Sequence, residues 1–331
     1  MNRLAALLLI VAFVSQDAAA GDERVNLRLG SGVQVQVRFL RASGGNGPLP
    51  AIVVLGGLER GAAVLDLLPR TDEAVLVGFD YPVAVPQALP WTELLPLARR
   101  LERGVRETVE ILARLHALLL QRGDIDGSRL SLVGVSLGAP FAVIGAAGSG
   151  YRGVVVIDGF GDLPRTVRHQ FQRRWRPRYG VIGDAMAWLA QTALLQLIDL
   201  PAPEESARRL QANQRVYMLN AEQDEFVPQR SREALEEALR QSRAVLTVET
   251  VPGRHVRGDD ERTIRQLYAL ARDWMRRQGL LDRSTAPSAP SRAAALKSTA
   301  PARGNHPWAG AGAALRAAGT PGRSSCRASS A

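Results

Sequence analysis

The residues best suited to chemistry lie in Leu130-Ser131-Leu132-Val133-Gly134-Val135-Ser136-Leu137-Gly138-Ala139-Pro140, an apolar run that passes through G-x-S-x-G into an Ala-rich segment. A buried strand that turns sharply into a helix at this point would lift the Ser136 hydroxyl above a sheet, with small neighbours allowing the turn. The helix beginning after it would aim free amides and a positive dipole end at the same place. That is the setting of a nucleophile.

A serine hydroxyl needs a base within hydrogen-bond reach and a third group to orient that base. The chain has four histidines. His116 falls in a long helical stretch, His169 in a basic segment, and His306 in a terminal region with few large apolar residues. His255, in Val251-Pro252-Gly253-Arg254-His255-Val256 before the final helical stretch, is the candidate base. For the orienting acid, Asp224 follows the apolar run Val216–Leu219 and precedes His255, with Glu222 and Glu225 as competitors. Donors for a developing oxyanion are expected from the Leu137 amide and from Gly57 or Leu58, in the turn Leu55-Gly56-Gly57-Leu58 after an earlier apolar run.

Positioning these groups takes an alternation of strands and helices. Val25–Leu29 and Val33–Leu40 alternate apolar and polar residues as half-buried strands do. Ala51–Leu55, Ala74–Phe79, Leu130–Val135 and Val154–Ile157 are continuous apolar runs, as in strands buried on both faces. Two more strands are expected at Val216–Leu219 and Ala244–Val248. Trp91–Gln121 repeats leucine and valine at helical spacing, and Asp260–Met275 forms the last helix. Such alternation implies a mainly parallel sheet with helices on both faces, whose strand ends carry the site. Residues 161–212 break the alternation and read as a helical insertion over those ends, either a gating cap or a packing decoration. Met186, Leu189, Thr192, Ala193, Gln196 and Leu197 give it an amphipathic helical stripe.

With these residues and segments the chain resembles the α/β-hydrolase fold superfamily over roughly residues 25–280, closest in flavour to its dienelactone-hydrolase and prolyl-oligopeptidase-like branches. Ser136 in its elbow, Asp224 in Asp-x-x-Val-Pro, and His255 before the last helix match the superfamily's motifs in order, and Asp124-Ile125-Asp126-Gly127-Ser128-Arg129 supports the branch. Many members have His-Gly where this chain has Leu55-Gly56, so that loop must be supported differently. Asp80, in Gly-Phe-Asp-Tyr-Pro, is expected to be structural. The resemblance implies acyl transfer to water by Ser136, His255 and Asp224, with no cofactor and no metal, and a small-molecule or lipid-like ester as first substrate class, ahead of thioesters and peptides. A Ser at the elbow disfavours dehalogenase or epoxide hydrolase chemistry. A binding or interaction module with an idle triad is the contrasting reading.

Composition bounds the rest. The 331 residues carry a formal charge of +10 and one cysteine, which rules out an internal disulfide framework. Seven basic residues and no acid lie in 283–331, leaving +3 for residues 21–282, so the charge does not indicate a nucleic-acid partner. Residues 283–331, rich in Ala, Pro, Ser and Arg, are expected to be a disordered tail. Arg3, the apolar run Leu4–Val14 and the small residues Ala18–Ala20 fit a cleaved signal peptide over residues 1–20, predicting an exported, periplasmic or secreted protein. The Arg-rich run Arg173–Arg178 is either a solvated face or a recognition surface for anions. With the tail, the insertion's apolar stretch also raises peripheral membrane contact as a variant, which is not the favoured reading.

Overall fold

The computed structural model describes residues 14–15, 21–41, 47–57, 61–82, 94–197 and 201–281, all within the unit Met1–Ser284. Leu58, His306, Cys326 and residues 283–331 lie outside the described residues, as do Trp91 and most of residues 1–20.

The strands are β1 (Val14–Ser15), β2 (Asp22–Arg28), β3 (Gln34–Leu40), β4 (Leu49–Leu55), β5 (Val75–Phe79), β6 (Ile125–Val135), β7 (Gly153–Ile157), β8 (Arg215–Gln223) and β9 (Val245–Arg254). They form one sheet in the order β1-β2-β3-β5-β4-β6-β7-β8-β9. Pairing is antiparallel from β1 to β5 and parallel from β5 through β9. The composition of each strand follows its position. β3 near the edge alternates buried and exposed residues, whereas β4, β5 and β7 are buried throughout because helices cover both faces.

One face packs against helices α1 (Leu94–Gln121), α2 (Gly138–Gly148), α4 (Pro203–Arg208) and α5 (Gln229–Arg240). The other packs against a 3-10 helix at Gly61–Leu67 and α6 (Glu261–Arg277). Trp274 of α6 stacks on Tyr217 of β8 at 5.1 Å between centroids. β4 and β6 are neighbours, yet the chain leaves β4 toward β5 and β6 toward β7. Their carboxyl ends therefore flank a crevice, the topological switch point where open α/β sheets place ligands.

Two expectations need correction. β6 starts at Ile125, before the apolar run proper, and β9 extends to Arg254, so His255 leaves directly from a strand end instead of a free loop. The insertion is helical, as α3 (Leu163–Leu197) and α4, but α3 is broken at Gly180, whose φ of 56° and ψ of −134° are non-helical. Of the amphipathic stripe, Met186 packs against the inner cluster. Ala187, Ala190 and Leu194 pack with Phe171 and Trp175 of the first half, while Leu189 is 56% exposed and Ala193 and Gln196 also face solvent. Small alanines win the interior because the two halves of α3 press together: a Cβ on Gly183 would lie 2.8 Å from the Trp175 backbone.

Candidate active site

Ser136 follows the last residue of β6 with φ of 53°, a left-handed conformation that side chains other than glycine adopt at a cost of about 1–3 kcal/mol. The turn is held from both sides: the Ser136 N–H donates to the Ile157 carbonyl at 2.9 Å, and the Ala139 N–H donates to the Ser136 carbonyl at 3.0 Å. The two motif glycines are required by close backbone approach. A Cβ on Gly134 would lie 2.3 Å from the Gly138 carbonyl oxygen, and one on Gly138 would lie 2.2 Å from the Leu55 carbonyl oxygen. The spacing G-x-S-x-G is thus the geometric condition for seating α2 against β4 and β6.

His255, 8% exposed, joins the candidate residues. Its Nδ1 lies 2.8 Å from Asp224 Oδ2 and its Nε2 lies 2.9 Å from Ser136 Oγ. An Nδ1–H donated to the carboxylate leaves Nε2 as the acceptor for the serine hydroxyl. Asp224 Oδ1 accepts from the Phe226 and Val227 amides at 2.8 and 2.9 Å. Burial opposes its charge, but the His255 and backbone hydrogen bonds prevail and hold its carboxyl below the usual range. Glu222 and Glu225 are exposed and take no part in this arrangement. His116 packs against Tyr151 at 4.9 Å between ring centroids, and His169 donates to the Glu225 carbonyl at 3.0 Å.

Gly57 stands across from the serine, where an added Cβ would lie 4.0 Å from Ser136 Cβ. Leu137, at the N-cap of α2, precedes the helix's unpaired amides. The different support expected for the Gly56-Gly57 loop is Tyr81, whose hydroxyl donates to the Gly56 carbonyl at 2.7 Å. Asp80 has the structural role expected of it, accepting from the Ala62 amide at 2.8 Å.

Two site residues escaped the sequence reading. Asp158 follows β7, is 2% exposed and has φ of 48°. Its carboxylate accepts from the Ala221 amide and the Val256 amide, both at 2.8 Å, and lies 3.8 Å from His255 Nδ1. Burial is the main cause of its raised pKa. One side chain thereby ties the end of β8, just before Asp224, to the segment bearing His255. An acid directly after the apolar run Val154–Ile157 was the available signal. The second is Phe226, whose ring lies 5.0 Å from the His255 ring and carries the Arg173 guanidinium at 3.7 Å from its centroid. Gln170 donates to the Phe226 carbonyl at 2.6 Å, so the insertion braces this loop.

Asp158, Asp224 and His255 are close enough to be considered as metal ligands. Their hydrogen bonds already account for all four carboxylate oxygens, through the Ala221, Val256, Phe226 and Val227 amides and the imidazole. The donor set fits an orienting network better than a cation site.

Beside Ser136 lies a cavity of about 310 Å³, lined by Gly57, Phe226 and His255 and by residues of the sheet, the 3-10 helix and α6. Val54, Val64, Leu68, Val133, Ile264 and Leu267 make its walls apolar.

No protein-family model and no curated protein sequence matches the chain. Solved structures do. Acetyl xylan esterase 1 from Thermoanaerobacterium sp. JW/SL YS485 superposes with a TM-score of 0.52 at 14% identity, over 80% of this chain and 87% of the esterase. The 2,6-dihydroxy-pseudo-oxynicotine hydrolase gives 0.52 at 22% identity, over 77% of this chain and 67% of the hydrolase. The Pyrococcus horikoshii acylaminoacyl peptidase gives 0.54 at 13% identity, over 82% of this chain and 44% of the peptidase. The chain has the α/β-hydrolase fold.

Proposed function

We propose that the protein is a serine hydrolase that cleaves carboxylic esters with an apolar acyl group through an acyl-enzyme. The observation that carries this reading is the continuous hydrogen-bonded path from Asp224 through His255 to Ser136, with the serine held on a strained turn at the mouth of an apolar cavity. Ser136 Oγ attacks the acyl carbon as its proton passes to His255 Nε2. The imidazolium, held by Asp224, then protonates the departing alcohol oxygen. Water attacks the acyl-enzyme by the reverse route, returning the proton to Ser136. The Leu137 and Gly57 amides are the proposed oxyanion donors.

Similarity to esterases and a peptidase supports a hydrolase in general terms. The cavity supports the narrower choice. Its apolar walls and volume of roughly 310 Å³ suit a medium aliphatic chain or a ring. Fluorophosphonate labelling mapped by peptide mass spectrometry, followed by nitrophenyl esters of increasing acyl length, tests the reading. Modification of Ser136 and turnover that improves with chain length are expected; a folded protein that stays unlabelled sinks it. Ile264→Trp, which fills the cavity from α6, should lower kcat/KM for the longest accepted ester by about tenfold or more while sparing the acetyl ester. Equal loss on both esters would move the acyl site elsewhere.

Export with cleavage after Ala20 belongs to the same proposal. Among the described residues, its removal would take from the sheet the two-residue edge strand Val14–Ser15. N-terminal sequencing of protein recovered from the exported fraction should begin at Gly21; a chain retained in the cytoplasm with Met1 intact would reject it.

A further inference from the structure

Among the described residues the outward face of α3 has no partner, and it is apolar where it should be polar. Beyond the break at Gly180, exposed residues recur at helical spacing as Val181, Ile182, Ala185, Trp188, Leu189 and Ala193. Val181 is 84% exposed, Ile182 70%, Leu189 56%, Trp188 49% and the preceding Tyr179 42%. Single exposed apolar side chains are ordinary, but a contiguous stripe of this kind marks a binding surface. Its rim is cationic. α3 contains six arginines and one acid, Asp184, and Arg174, Arg176 and Arg178 are exposed beside the break. Arg176 reaches Asp184 at 3.6 Å, and Arg178 lies over the Tyr179 ring at 5.4 Å from its centroid.

We propose that the apolar face of α3, with its arginine rim, docks on an anionic phospholipid surface. Tyr and Trp at the edge of an aliphatic patch suit the boundary between headgroups and acyl chains, and arginines beside it are complementary to lipid phosphates. A second copy of the chain fits this face less well, because its matching face brings the same excess of positive charge to the contact. The helix lies on the surface and does not cross it: no helix among the described residues is long and apolar enough to span a membrane. Docking also bears on the site. The first half of α3 holds the Asp224–Val227 loop through His169, Gln170 and Arg173, and from Arg173 to Val181 the chain advances only about 12 Å at 1.5 Å per residue. A lipid surface at the break therefore lies close to the cavity mouth. The surface binding is independent of the hydrolase reading; only the benefit to catalysis rests on it.

The test is flotation of the full-length protein with phosphatidylcholine vesicles, with and without phosphatidylglycerol, at low and high salt. Binding to the anionic vesicles at low salt is expected, weakened by salt. Val181→Asp with Ile182→Asp should weaken it about tenfold or more, and each of Arg174→Glu and Arg178→Glu about fivefold or more. All variants should keep the wild-type circular dichroism and thermal midpoint, and Ser136→Ala should float like wild type, which separates docking from turnover. No flotation of the wild type at low salt overturns the proposal. So does undiminished binding by the Val181/Ile182 variant, which would assign the lipid contact to residues 1–20 or 283–331, or light scattering that shows a dimer broken by that variant.

Discussion

Ser136→Ala and His255→Ala are each expected to reduce kcat for ester hydrolysis by about 10⁶, and the double variant by little more. The reason lies in the shared proton path. Ser136 Oγ is 2.9 Å from His255 Nε2; without the imidazole the hydroxyl has no acceptor for its proton, and without the hydroxyl the imidazole has no nucleophile to activate. Each change removes the same step, so the losses do not add. Residual turnover should survive through substrate binding and the backbone donors alone. The measurement is steady-state hydrolysis of the best ester in the chain-length series, with fluorophosphonate labelling alongside. Labelling should vanish in Ser136→Ala and become very slow in His255→Ala. Additive losses, or normal labelling without His255, would mean that another group activates the serine.

The two carboxylates behind His255 should separate in kind as well as in size. Asp224→Asn is expected to cost about 10⁴ in kcat, because an amide no longer selects the tautomer with Nε2 free to accept. Asp158→Asn should cost about 10–10² through misplacement of the base, and about 1–3 kcal/mol of stability, since asparagine offers one acceptor where two buried amides now bond. The pH dependence of stability also differs in sign. Asp224 has a depressed pKa in the folded state, so its contribution is present above the unfolded carboxylate value and is lost as pH falls through the folded one. Asp158 has a raised pKa, so the native state holds its proton longer, and the cost of its buried charge appears as pH rises from the unfolded value through the folded one. Thermal midpoints of both Asn variants across the acidic range, set against wild type, would show it. A flat difference curve for either carboxylate would contradict its described environment.

Much of this architecture is legible in the residues because it depends on local rules. Continuous apolar runs mark strands covered on both faces, and β4, β5 and β7 are buried throughout. G-x-S-x-G is legible because each glycine answers a steric demand that recurs wherever a strand turns into a helix so tightly. The surface helix of the insertion was not legible in the same way. Periodicity identifies a stripe at Leu189 and Ala193 but cannot say which side is inside, and here the smaller residues Ala187 and Ala190 face inward against Phe171 and Trp175. Helical spacing has no sign; only the partner surface supplies one.

By itself, then, the sequence determined the alternation of strands and helices, the elbow at Ser136 and the order of Asp224 and His255 after it, since these follow from hydrophobic period, steric limits on backbone and position along the chain. The tertiary structure decided what depends on contacts across long separations. It brought His255 to Ser136 across 119 residues, bound Asp158 to amides 63 and 98 residues away, and supported the Gly56 loop with Tyr81 from the next strand end. It also turned an apolar helix face outward. Such pairings are set by how the sheet orders its strands, and strand order is a property of the packed whole, not of any segment.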